Sequence, residues 1–454
     1  MECIGYGSDQ KGYLQSEDCL YLNVVRPAGY DSPSLPVLVY SRRSMNEICG
    51  GFARGGTPDL RYNVTVILEH SVNIGQQIIA LSIAYRLGPW RFFNGVEFAH
   101  EGSLNLGLKD QRLALHWVKE NIAGFGGDPN KVVIYGRSAG SESVGYHVRA
   151  YNGRDDVLFR GGMMESGAVL PGSALKLTWT HEPWFQKIAD EAGCFQAICK
   201  LDCLRRMPFT VLNNILNTTA NDTTPYNWRP TLDGDFVAQY PSEQLDAGDL
   251  VKVPKMIGYT TDEGTTELPG PVNTTAELKE YLSSTTTYGW ALDDRVVSEL
   301  FKLYPNNTSL GIPSSEELGG NVTFPQTYGA AFRQIAAYHG DAQFIAATRY
   351  TCELWAAHNL TAYCYRFNTK TGDYNWEEGV AHFSDVISYS TILMVMGSVR
   401  TRLAMLQRAM LILIISCPAH GSASLIVWIL MRGLGAGGRP LGRRIGRYMI
   451  LRTH

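Results

Sequence analysis

The sequence predicts an open, doubly wound α/β fold with a central, mostly parallel sheet, and three observations predict it. Ile78 to Tyr85 is a near-continuous apolar run, the composition of a strand buried on both faces. Leu108 to Ile122 carries Leu113, Ala114, Trp117, Val118 and Ile122 at helical spacing, which predicts an amphipathic helix with those five on its buried stripe. Val132 to Tyr135 is a short β-branched and aromatic run that passes through Gly136-Arg137-Ser138-Ala139-Gly140 into a second helical stretch. Strand, helix, strand, turn and helix in alternation is the doubly wound pattern.

The other elements follow along the chain. Ser16 to Val24 reads as a strand with an acidic lead-in, and Leu35 to Tyr40 as another with Pro36 near its head. A polar, helical insertion runs from residue 171 to 227. Lys255 to Tyr259 and Ala362 to Phe367 read as strands, and Phe332 to His358 as helical.

The turn at Ser138 has a chemical consequence. A serine between strand and helix sits in a strained backbone conformation that lifts its hydroxyl clear of the sheet. Gly136 and Gly140 lack a Cβ, so strand and helix can pass close together. The Ala139 amide would face an acyl oxyanion, and the helix start adds positive partial charge. Such an arrangement points to nucleophilic acyl transfer.

Composition narrows the compartment and the partners. The chain is 45% hydrophobic and 18% charged, as globular proteins are. Beyond Thr391 there are nine Arg and no Lys, Asp or Glu. Taking those nine from the net −3 leaves about −12 for residues 1–390. An acidic body argues against nucleic acid as a partner. Nine Cys is an odd number, so at least one is unpaired within the chain; Cys3 with Cys19 and Cys194 with Cys203 look like local pairs. No Cys-x-x-Cys metal motif occurs, and no metal or organic cofactor is expected. Eight Asn-x-Ser/Thr sequons, at Asn63, Asn217, Asn221, Asn273, Asn306, Asn307, Asn321 and Asn359, predict a secreted glycoprotein with disulfides, although Met1 opens on Glu-Cys-Ile-Gly with no apolar signal segment.

The block from Ser16 to Val24, the Asn105-Leu-Gly-Leu-Lys-Asp-Gln-Arg112 segment and the serine turn together resemble the type-B carboxylesterase and lipase family of α/β-hydrolases, fungal secreted members above all. The resemblance covers residues 3 to about 390 and implies an α/β-hydrolase domain over 1–390 whose insertion, 171–227, forms a cap, with the chain truncated at both ends. It implies that Cys19 bonds to a cysteine upstream, for which Cys3 is the candidate, and that Ser166 lies at a strand end under the active site. The family's His-Gly-Gly-Gly-Phe loop is replaced by Ser41 to Phe52. Only Gly50, Gly51 and Phe52 match, so Gly50 and Gly51 join Ala139 as expected oxyanion donors.

A serine hydroxyl needs a base, and the base needs an anion to hold its tautomer. The chain order serine, acid, histidine selects among the candidates. His382 follows Gly379-Val-Ala in a loop after a strand, with Ser384 and Asp385 behind it, as in the family. Asp262 and Glu263 both follow the strand Lys255–Tyr259, and the resemblance to the family pattern Asp-Glu-Gly implies Glu263 as the acid, with Asp262 the runner-up. Family members usually carry Glu where this chain has Arg137. A cation there would disfavour the imidazolium, so either turnover is slow or Arg137 is turned to a carboxylate on the cap.

Past Ile387 the resemblance stops. Residues 391–454 read as the end of a frame-shifted or mis-spliced gene, although uncharged Met410–Met431 is about long enough for a membrane anchor. The resulting expectation is a carboxylic ester hydrolase acting on small esters or lipids through Ser138, Glu263 and His382. The competing expectation is a catalytically silent binding or adhesion protein on the same fold. Acyl and alcohol specificity and oligomeric state are not encoded in any motif.

Overall fold

Apolar runs bounded by turn residues become the strands of one large sheet. The computed structural model describes residues 2–6, 12–29, 34–41, 52, 55, 64–172, 175–222, 228–266, 268, 271–284, 292–307, 310–320, 324–369, 376–385 and 448–451. Within them lie β1 (Leu22–Val25), β2 (Leu35–Ser41), β3 (Ile79–Ile83), β4 (Gly127–Arg137), β5 (Gly161–Glu165), β6 (Lys255–Thr260), β7 (Ala362–Phe367) and β8 (Tyr448–Leu451). Their spatial order is β8-β7-β6-β5-β4-β2-β3-β1. All neighbours are parallel except β1 with β3.

Helices cover both faces of the sheet. Along β2, Val37 and Val39 point to one face and Leu38 and Tyr40 to the other, as the pleat requires. The first pair packs with Ile79, Leu81, Val132 and Ile134, under α2 (Leu106–Asn121) and α3 (Ala139–Gly153). The second packs with Ala80, Val133 and Met163, and with Leu68 of α1 (Thr65–Asn73). An α/β-hydrolase architecture is therefore observed.

Two local readings are corrected. Leu113 does not belong to the buried stripe of α2 and is 63% exposed. The stripe is Leu108, Leu115, Val118 and Ile122, extended by buried Gln111 and Arg112, and Leu113 falls off its seven-residue rhythm. The strand expected over Ser16–Val24 is split. Gln15–Ser16 pairs with Glu2–Cys3 in a separate two-stranded sheet, and only Leu22–Val25 joins the main one. The Cys3–Cys19 disulfide ties that small sheet to the chain leading into β1.

The insertion contains α4 (Glu182–Glu191), α5 (Lys200–Arg205) and α6 (Phe209–Asp222), closed by the Cys194–Cys203 disulfide. A third disulfide, Cys352–Cys364, joins α8 (Ala346–Ala357) to β7. Sequence reading missed it because nothing in a spacing of twelve shows that a helix and the next strand lie face to face. Cys199 is free, and its sulfur accepts the Asp202 N–H at 3.4 Å; Cys49 and Cys417 lie outside the described residues. Phe332–His358 is helical as expected, as α7 (Phe332–Gly340), a π-helical turn over Asp341–Ile345, and α8. No helix among the described residues is long and apolar enough to cross a membrane, and Met410–Met431 lies outside them.

Candidate active site

The site is built at the carboxyl edge of β4, β6 and β7. Ser138 follows β4 with φ 52° and ψ −123°, a left-handed conformation that an L-residue adopts only under constraint. Glycine supplies the constraint. A Cβ on Gly136 would lie 2.0 Å from the Gly140 carbonyl oxygen, and one on Gly140 would lie 2.4 Å from the Ser41 carbonyl oxygen. Backbone sits on both sides of the contact, so it cannot yield cheaply. Gly136→Ala is expected to cost about 2 to 3 kcal/mol of stability, the usual price of overpacking, read as a lower midpoint in chemical denaturation. An unshifted midpoint would show that the turn can open.

Glu263 lies three residues past the end of β6 and is fully buried. Its Oε1 accepts the Thr260 N–H at 2.8 Å, and its Oε2 lies 2.5 Å from His382 Nδ1. Burial would raise this carboxyl. The His382 imidazole and the Arg137 guanidinium outweigh burial and hold it below the usual value. His382 comes from the loop beyond β7, and its Nε2 lies 3.1 Å from Ser138 Oγ. Three side chains separated by 119 and 244 positions thus form one hydrogen-bonded line. Phe344, in the π-helical turn, packs its ring 4.5 Å from the His382 ring.

Asp262, the runner-up acid, does other work. Its Oδ2 accepts the Val380 N–H at 2.7 Å, and its own N–H donates to the Val380 carbonyl at 2.9 Å. It pins the loop that carries His382. Gly379, at φ 70°, makes room for it, since a Cβ there would lie 2.3 Å from Asp262 Oδ2.

Arg137 is 2% exposed and does not reach the cap. Its Nε donates to Asp385 Oδ2 at 3.1 Å, and a terminal nitrogen lies 2.6 Å from Asp385 Oδ1. The expected cap carboxylate is therefore corrected to one on the histidine loop, because Arg137 ends β4 and points under the turn. Its guanidinium also lies 3.7 Å from the Phe383 ring centre and 3.4 Å from Ser166 Oγ. Burial would lower Arg137, but the carboxylates of Asp385, Glu263 and Glu165 prevail and raise it. It is a neutralised cation, not a free one.

Glu165 and His339 are not among the site residues expected from sequence, yet both lie against the site. Glu165 pairs in register with Arg137 across β5 and β4, and its Oε2 accepts the Tyr135 hydroxyl at 2.7 Å. Burial pushes its carboxyl from 4.5 up to about 7; Asp385 adds to the push, and Arg137 opposes it. A carboxyl raised in the folded state binds more protons there than when unfolded, so stability falls as pH rises from about 4.5 to about 7. Glu165→Gln is expected to flatten that decline in thermal midpoint. An equal decline in both proteins would overturn the assignment. His339 is buried against the site, and burial, with His382 nearby, lowers it to about 3, which keeps it neutral.

Ser166 lies beneath the site with φ 52°. Ala139 opens α3, where first-turn amides have no partner within the helix. Gly50 and Gly51 lie outside the described residues. No metal-ligand cluster is found among the described residues.

Comparison with known proteins identifies the family of the chain. The carboxylesterase family model matches residues 3–413. The chain is 36% identical over 344 residues to Secreted lipase 1 of Botryotinia fuckeliana, covering 73% of this chain and 57% of that one. It is 35% identical over 347 residues to Lipase 4 of Diutina rugosa, covering 74% and 60%. The chain thus spans 57 to 60% of the length of these curated relatives. Among solved structures it is similar to Aspergillus niger EstA, with a TM-score of 0.69 and 27% identity over 85% of this chain and 70% of that one.

Proposed function

The chain belongs to the carboxylesterase family, and from that premise we propose that it hydrolyses carboxylic esters, small or lipid, through an acyl-enzyme. The observation that carries this reading is the line from Glu263 through His382 to Ser138. His382 Nε2 takes the Ser138 proton as Oγ attacks the ester carbonyl carbon. Glu263 holds the Nδ1–H tautomer and offsets the imidazolium charge. The Ala139 amide, with those of Gly50 and Gly51, is proposed to hold the oxyanion, each donor being worth roughly a hundredfold or more in rate. His382 then protonates the departing alcohol. Water, deprotonated by the same nitrogen, attacks the acyl carbonyl and releases the acid. Arg137, Asp385 and Ser166 are proposed as positioning residues beneath this line.

An extracellular setting is proposed with it. Relatives at this similarity are named secreted lipases, three disulfides are present among the described residues, and the sequons at Asn217, Asn273, Asn306, Asn307 and Asn359 are on exposed residues.

The test is covalent. An organophosphonate is expected to label wild-type protein once, at Ser138, and to abolish turnover of a short p-nitrophenyl ester. Ser138→Ala should take no label. A folded wild-type protein that neither labels nor turns over the ester would leave a binding protein on a hydrolase fold.

A further inference from the structure

We propose that the cap side of the molecule holds a second ligand site, distinct from the catalytic one, for the anion of an aliphatic carboxylic acid. The site is a cavity of about 300 Å³ among the cap helices and the segment before α2, a volume at the lower end of those that hold small ligands. Its walls are mostly apolar, with Trp90, Phe98, Ile188, Leu204, Leu212 and Leu216 among them. None of Ser138, Glu263 and His382 lines it.

One cation in this wall has no direct ion-pair partner among the described residues. Arg91 lines the cavity, its Nε is buried, and among the described residues its side chain makes no hydrogen bond or ion pair. Burial, with Arg86 and Arg205 nearby, lowers it to about 10 against the opposing pull of Asp110 and Glu17, so it remains charged at neutral pH. The second lining arginine, Arg205, is already held by Glu101 at 2.6 Å. Glu17 also lines the cavity and acts on Arg91 through space, without an ion pair. A guanidinium whose Nε–H is buried and unused, beside its half-buried terminal nitrogens, prefers a planar anion that can take two hydrogen bonds at once. Beside an apolar cavity of this size, that anion is a carboxylate on a single medium-length chain. An uncharged alcohol would use the walls and waste the cation.

The inference stands apart from hydrolysis, because the ligand is a free acid whether or not this chain makes it. The experiment therefore reads binding. Full-length protein is first blocked at Ser138 with the phosphonate, or carries Ser138→Ala if it takes no label. A terminally brominated dodecanoate is titrated in, and tryptophan quenching is followed. Quenching is expected, and Trp90→Phe should remove most of it. Laurate should displace the probe roughly tenfold or more better than dodecanol, the worth of a charge-assisted hydrogen bond in a partly buried site. Arg91→Met should erase that preference while leaving dodecanol binding and ester turnover unchanged, and Arg91→Lys should keep part of it. Met207→Trp, which fills the cavity from its partly exposed side, should weaken both ligands. Equal displacement by laurate and dodecanol, quenching that survives Trp90→Phe, or binding seen only with a free Ser138 would each overturn the proposal.

Discussion

Replacing Glu263 with Gln is expected to lower kcat by about four orders of magnitude, the size of effect found when a triad carboxylate becomes an amide elsewhere. The physical reason lies in the tautomer. Glu263 Oε2 sits 2.5 Å from His382 Nδ1 in a fully buried setting, so in the proposed mechanism it would take the Nδ1–H and leave Nε2 free to accept the Ser138 proton. An amide can turn its NH₂ toward Nδ1 and place the ring proton on Nε2, where it blocks that transfer. The amide also fails to offset the charge His382 gains. Folding should change less, since the side chain keeps its shape and Oε1 can still accept from Thr260. Steady-state turnover and a denaturation curve on the same preparation check both parts. A variant within tenfold of wild type would remove Glu263 from the mechanism and reopen the role of Asp262.

Arg137→Met is expected to cost about 3 to 5 kcal/mol of stability, because removing one partner leaves a buried charge without compensation. The carboxylate that loses its guanidinium would be Asp385, 3% exposed, with Glu165 and Glu263 close enough to have shared the same cation. Arg137→Glu should be worse, since it sets another carboxylate among those three. Turnover should therefore fall on restoring the family's residue, not rise. The pair need not be stabilising in itself. Arg137→Met combined with Asp385→Leu should recover much of the loss, because a well-packed apolar pair can equal a buried ion pair. Chemical denaturation of the two single variants and the double measures the coupling. A single Arg137→Met that costs under about 1 kcal/mol would show that Asp385 finds water or a proton instead.

Turnover in these variants reports a second role. Arg137 precedes Ser138, and Asp385 follows His382 by three residues, so their contact ties the serine turn to the histidine loop. Activity lost in Arg137→Met and not regained with stability in the double variant would assign the ion pair to positioning.

Much of this was legible along the chain. Strand runs such as Ile79–Ile83 declare themselves because a strand buried on both faces must be apolar throughout. The turn at Ser138 is legible because only glycine survives at Gly136 and Gly140. Ser138, Glu263 and His382 were selected by chain order, by lying after strands and by the family resemblance, and parallel strands carry their ends to one edge. The fold brings those three side chains together; their roles await the labelling experiment.

Other features had no local signature. The 248-residue span between Arg137 and Asp385, the Cys352–Cys364 bridge and the exposure of Leu113 depend on which faces meet once the sheet is assembled. Composition and spacing encode backbone preference and periodicity, which act over a few residues. The partner of a buried charge is set by sheet register and loop closure, which act across the whole chain. Sequence by itself therefore determined the class of fold and the order of the candidate site, and tertiary structure alone decided that Arg137 would be neutralised from the histidine loop, because burial leaves a charge no option but the nearest counter-charge.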